Sequence, residues 1–93
     1  MYAIRKVSNR LDRELDRLSP GDRERVIAAI DNLAIEPRPK GCEKIEGGAK
    51  EYRLRVGRLR VIYQIDDDNQ QILIGAIRSR NEATYRRVSD LFG

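Results

Sequence analysis

The sequence predicts an α+β domain: an antiparallel sheet covered on one face by an N-terminal helical hairpin, with a short helix near the C-terminus. Three observations predict it. Apolar and polar residues alternate on both sides of Gly57, from Glu51 to Ile65, which is the period of half-buried strands. Between residues 11 and 34, leucine, isoleucine and valine recur at three- and four-residue spacing, the period of helices with one buried face. Ile72-Leu73-Ile74-Gly75-Ala76-Ile77 is an almost continuous apolar run, as expected of a central strand covered on both faces. Helices that come before a run of strands place the fold in the α+β class.

Tyr2-Ala3-Ile4-Arg5-Lys6-Val7 alternates briefly and makes a first strand. Ser8 or Asn9 caps the helix that follows. Leu11, Leu15 and Leu18 lie along one side of that helix. Ser19-Pro20-Gly21-Asp22 restarts the chain: a serine N-cap, proline at the first helical position, an acid three residues after the cap. The second helix carries a wider stripe of Val26, Ile27, Ile30, Leu33 and Ala34. So short a link predicts an antiparallel pair. Pro37 and Pro39 end the second helix. Residues 37–50, rich in Pro, Gly and Lys, read as a loop with Ile45 as its apolar anchor.

Gly57 sits where a tight hairpin needs positive φ. With Tyr52, Leu54, Val56, Leu59, Val61, Tyr63 and Ile65 on the core side, Arg53, Arg55, Arg58 and Arg60 share the opposite face with Ile62 and Gln64. Like charges placed across a sheet repel. Such a cluster is tolerable where it meets an anion, and the planar arginine fork suits phosphate. Asp66-Asp67-Asp68-Asn69 joins two apolar strands and reads as a turn in preference to a metal site. From about Asn81 the chain reads as a short helix with Tyr85, Val88 and Phe92 on one side.

Composition narrows the chemistry. The 93 residues make one domain, 1–93, with a net charge of +4. That balance leans toward a polyanionic partner. There is no histidine, so the commonest general base and the commonest zinc ligand are both missing. Cys42 is the only cysteine, which excludes a disulfide framework and a cysteine-rich metal site. Neither a metal nor a cofactor is expected. The residues after Met1 lack the apolar core of a signal peptide, and no stretch is long and apolar enough to span a membrane. A cytoplasmic protein with no membrane partner is the expectation.

Several segments, in this order and spacing, carry a resemblance across most of the chain. They are the second helix with its ending Ala28-Ala29-Ile30-Asp31-Asn32-Leu33-Ala34-Ile35-Glu36-Pro37-Arg38-Pro39, then Lys44-Ile45-Glu46-Gly47. Tyr52-Arg53-Leu54-Arg55-Val56-Gly57, Arg60-Val61-Ile62-Tyr63 and a closing Arg80 and Tyr85 follow. Together they resemble bacterial toxins of the RelE/ParE superfamily, the effector halves of type II toxin–antitoxin pairs. The resemblance implies a microbial RNase-like α+β fold and an antitoxin partner, held in a toxin–antitoxin hetero-oligomer. Its RelE-like branch enters the ribosomal A site and cuts mRNA, so the ribosome and mRNA become implied partners. Its ParE-like branch shares the scaffold and poisons DNA gyrase, which is the alternative function.

Carried over residue by residue, Arg53 and Arg55 fall where the RelE-like branch often has lysines, and Arg60 falls on its third-strand arginine. Tyr85 falls on its C-terminal tyrosine. The late arginine is Arg80 by best fit, with Arg78 as the alternative. The implied assignment is therefore Arg55, Arg60, Arg80 and Tyr85 as catalytic residues, and Arg53, Arg58 and Arg78 as RNA-binding residues, with no metal. An arginine at position 55 stays protonated, so it stabilises charge and does not take a proton. Together these imply a metal-independent endoribonuclease that uses the RNA 2′-OH as nucleophile.

Overall fold

A computed structural model describes residues 1–46, 50–79 and 91–92. The elements run β1 (Ala3–Lys6), α1 (Arg10–Asp16), α2 (Pro20–Leu33), β2 (Cys42–Lys44), β3 (Glu51–Val56), β4 (Leu59–Asp66) and β5 (Gln71–Ser79). They build one five-stranded sheet in the order β1-β5-β4-β3-β2. β2 to β5 are antiparallel, but β1 pairs with β5 in parallel, Ala3 opposite Gln71 through Lys6 opposite Ile74. The sheet is therefore mixed, which corrects the all-antiparallel expectation. β1 is joined to the rest through helices and not through a tight turn, so nothing forces an antiparallel neighbour on it. The short helix expected from about Asn81 falls on residues outside the described ones.

The start of α2 follows its sequence signals. Ser19 is the N-cap, its Oγ accepting from the Asp22 amide at 3.3 Å, with Pro20 in the first turn. α1 begins differently: Asn9 occupies the cap position without a side-chain bond, and the Ser8 Oγ accepts from the Arg10 amide at 3.3 Å. Gly57 has φ +61 and Arg58 is not among the positive-φ residues, so the two-residue loop is of the type that needs glycine only in its first place. The acidic stretch forms the β4–β5 turn, where the Asp66 carboxylate accepts from the Asn69 amide at 3.2 Å and from its side-chain nitrogen at 2.9 Å.

Successive strand residues point to opposite faces, and the two faces carry separate cores. On the first, Leu54, Leu59, Val61, Tyr63, Ile65, Ile72, Ile74 and Ile77 join Leu11 of α1 and Val26, Ile30 and Leu33 of α2. Ile27, expected in the helical stripe, is 39% exposed at its edge. Tyr63 is fully buried here; its hydroxyl donates to the Pro37 carbonyl at 2.9 Å and lies 3.0 Å from Cys42 Sγ. Burial, followed by the neighbouring thiol, pushes its ionisation far above the usual phenol range. Among the described residues the second core consists of Ile45 and Ile62, packed against Leu91 and Phe92.

Gly75 gives the second core its footing. A Cβ there would lie 2.6 Å from Cζ of Phe92, so the ring rests directly on the strand backbone. Gly75 is also where the β4–β5 register shifts, between Ile62 and Tyr63 on the facing strand. Gly75→Ala is expected to unseat the ring and destabilise the protein by about 1–3 kcal/mol. The same change in a Phe92→Ala background should cost less, a coupling that a denaturation double-mutant cycle reads directly.

Residues 37–50 are not wholly a loop. Cys42–Lys44 adds an edge strand to β3, with Glu43 opposite Arg53. Ahead of it, Arg38 closes a clasp across three segments. It donates to Asp67 at 2.9 Å and to the Tyr52 hydroxyl at 3.3 Å, and its guanidinium lies 5.3 Å from the Tyr52 ring centre. The Tyr2 hydroxyl donates to the same Asp67 at 2.6 Å. These bonds, Arg38's first, hold the Asp67 carboxyl below its ordinary value of 3.8. A depressed carboxyl contributes stability that is fully present above its unfolded value and is lost as pH falls through the lower folded value. Asp67→Asn should therefore flatten the acid limb of the stability curve below about pH 4, as thermal melts across that range would show.

Candidate nucleic-acid interface

The second sheet face carries the arginines, in rows set by strand register. Arg55 on β3 lies opposite Arg60 on β4, and Arg60 lies opposite Arg78 on β5. Three arginines thus stand side by side across the three central strands. The Arg55 amide is bonded to the Gly41 carbonyl on its other side at 3.1 Å. The Arg55/Arg60 pair is therefore the non-hydrogen-bonded kind, in which facing side chains come closest. The next row is Glu43, Arg53, Ile62 and Ala76, and beyond it stand Glu51 and Gln64.

Each arginine has a distinct setting. Arg55 is exposed. Arg60 is half-buried, with Nη1 bonded to the carbonyls of Leu59 at 2.9 Å and Gly57 at 3.3 Å. Arg53 pairs with Glu43 at 2.7 Å. Arg78 donates to Glu14 of α1 at 2.9 Å. Arg58 corrects an expectation: it belongs to the two-residue turn and reaches Asp22 at the start of α2 at 3.4 Å. Strand alternation does not extend into a turn, so Arg58 does not share the face of Arg53, Arg55 and Arg60. Arg80 and Tyr85 lie outside the described residues.

The margin of the face is sealed. Glu51 is 3% exposed, and its carboxylate accepts from Gln64 at 2.8 Å and from the Lys50 amide at 3.2 Å. Ile62, the one apolar side chain in the strand's polar set, is fully buried by Ile45, Leu91 and Phe92. Among the described residues no group of three or more His, Cys, Asp or Glu side chains stands ready for a metal ion. Among them, too, no helix is long and apolar enough to cross a membrane. Among the described residues the arrangement is thus a row of three arginines in which Arg78 is paired with Glu14, while Arg55 is exposed and Arg60 is bonded to main-chain carbonyls, suited to an anion larger than a single carboxylate.

Comparison with known proteins agrees with this geometry. Residues 5–84 match the family model of the ParE toxin of type II toxin–antitoxin systems, parDE. The chain belongs to this toxin family. A Methanocaldococcus jannaschii protein named as the toxin RelE1 is 30% identical over 84 residues, which cover 87% of this toxin and 92% of that protein. The archaeal RelE–RelB complex of Pyrococcus horikoshii contains a chain that superposes with a TM-score of 0.76 at 29% identity, over 88% of this toxin and 98% of that chain. The Mycobacterium tuberculosis toxin–antitoxin complex RelBE2 gives a TM-score of 0.72 at 25% identity, over 85% and 98% of the two chains. The isolated Escherichia coli RelE toxin shares the fold, with a TM-score of 0.73 at 17% identity over 90% and 89% of the chains.

The sequence reading missed Glu14. Its signal was its position, three residues after Leu11 and four before Leu18, which puts a carboxylate on the apolar side of the helix.

Proposed function

We propose that the toxin is a ribosome-dependent mRNA endoribonuclease, silenced by a cognate antitoxin. The observation that carries this reading is the facing pair Arg55 and Arg60 within the arginine row. The likeness to chains solved in RelE–RelB and RelBE2 complexes supports both the RelE-like branch and the partner. In this reading the two helices form a hairpin on the face opposite the arginines and leave that face to RNA. The setting is the cytoplasm, where the ribosome and the message meet.

RNA carries its own nucleophile. The 2′-oxygen attacks the adjacent phosphorus while the bond from phosphorus to the 5′-oxygen breaks. The proton leaves the 2′-OH, and another reaches the departing 5′-oxygen. Negative charge gathers on the non-bridging oxygens between these events. Arg55 and Arg60 neutralise it, since one fixed donor aimed at developing charge is worth about 2.7–4 kcal/mol. Arg80 serves the leaving oxygen, and Tyr85 orients the 2′-OH or takes its proton. A phenol of ordinary pKa near 10 is a weak base at neutral pH, so the ribosome's hold on an in-line substrate supplies part of the rate. Arg53 grips a flanking phosphate, whereas Arg58, drawn to Asp22 at the start of α2, lies off that face. The antitoxin segment that covers this face is acidic and amphipathic.

The family model points to a second reading, a protein-inhibiting toxin whose arginines dock on gyrase. One experiment separates the two. Toeprinting of an mRNA on purified ribosomes should show new toxin-dependent ends, and a gyrase supercoiling assay should show no inhibition. The opposite pair of results would establish the protein-inhibiting reading.

A further inference from the structure

β1 covers β5 only from Gln71 to Ile74. Beyond Ile74 that edge of β5 has no strand beside it among the described residues, and α1 takes its place with two side chains one helical turn apart. Arg10 Nη2 donates to the Gly75 carbonyl at 3.3 Å, and Glu14 Oε1 accepts from the Ile77 amide at 2.9 Å. These are the groups a sixth strand would have bonded. Glu14 has a second oxygen, and Oε2 accepts from Arg78 Nη1 at 2.9 Å. The pair is well covered, with side-chain exposures of 14% for Glu14 and 22% for Arg78. A carboxylate so placed draws the Arg78 guanidinium toward the β5 edge and relieves its repulsion with Arg60 in the same row.

We infer that Glu14 is a positioning residue: it holds Arg78 at the edge of β5, so that the RNA phosphate is met by Arg55 and Arg60 and not by all three arginines. The inference rests on the RNA-cleaving reading. It gives the two late arginines different roles, since Arg78 orders the strand end and the chemical step falls to Arg80.

Glu14→Gln isolates the charge. The amide oxygen still accepts from Ile77, but its NH2 then faces the Arg78 donors, and two donors do not bond. Arg78 then loses its pull toward the β5 edge and turns toward the row. Glu14→Ala strips both bonds and risks unfolding, so the glutamine variant is the working probe. Binding of a 2′-O-methyl oligoribonucleotide is measured against salt. A new contact to single-stranded phosphate steepens the log–log slope by about 0.7. The glutamine variant should show that steepening, and Glu14→Gln with Arg78→Met should return to the wild-type slope. Hydrogen exchange at the Ile77 amide should stay slow in the glutamine variant. On ribosomes its kcat should fall about tenfold while KM falls or holds, because the phosphate is gripped out of line. A wild-type slope in the glutamine variant, or a steepening that survives Arg78→Met, would overturn the inference. A wild-type protein that yields no new mRNA ends on programmed ribosomes would instead overturn the RNA reading, and the inference with it.

Discussion

Alanine in place of Arg60 is expected to slow cleavage by roughly 10²–10³-fold while the protein stays folded. Arg60 stands in the middle of the row, with Arg55 on one side and Arg78 on the other. Its bonds to the carbonyls of Gly57 and Leu59 fix the guanidinium in place. Both carbonyls belong to the hairpin end, where Gly57 is exposed, so water can replace the lost donor at Gly57. The side chain lies on the face away from Val61 and Tyr63, and no cavity opens in the larger core. Stability should change by about 0.5 kcal/mol or less, a few degrees in Tm at most. Single-turnover cleavage on programmed ribosomes, beside a thermal melt, checks both halves. A melt that collapses along with the rate would make Arg60 structural. Arg60→Lys should fall between wild type and alanine, because it keeps the charge and loses the fork.

A message methylated at the 2′-oxygen of the cut site should not be cleaved at all. The substitution removes the nucleophile and leaves the translation complex, its magnesium and the arginine row untouched. The unmodified message should yield a 2′,3′-cyclic phosphate upstream and a free 5′-hydroxyl downstream, which end-group labelling distinguishes from hydrolysis products. Cutting of the methylated message, or ends carrying 3′-hydroxyl and 5′-phosphate, would mean that water attacks the phosphorus. The arginine row would then be a binding surface only.

What the sequence reveals here follows the range of the interactions. The Ser19-Pro20 helix start and the Gly57 turn are set by neighbours within a few residues, and both form as their residue types require. The buried stripe of Val26, Ile30 and Leu33 is legible for the same reason. Residues 42–44 pair as a strand because β3 offers them an edge, which the Pro- and Gly-rich stretch around them conceals. Ile62 breaks the polar alternation of its strand, and its contact with Ile45, Leu91 and Phe92, all distant in sequence, accounts for it. The register that aligns Arg55, Arg60 and Arg78 depends on two turns and a bulge at once. Alternation predicts which of them share a face but not that they form one line. The link from Glu14 to Arg78 spans most of the chain and has no local signature beyond a carboxylate on an apolar face.

The strand order bears on the moment at which the protein becomes dangerous. β5 is the last described strand to be made, yet it sits between β1 and β4 and is the one strand that β1 pairs with among the described residues. During synthesis, therefore, Ala3–Lys6 is made well before its partner and waits unpaired until Gln71–Ile74 follows. Such distant pairing closes late, since the loop must be ordered before the contact rewards it. Arg78 joins the row in the same late step. A chain that stops before β5 has no assembled arginine row, because Arg78 and the strand that sets it opposite Arg60 are both missing.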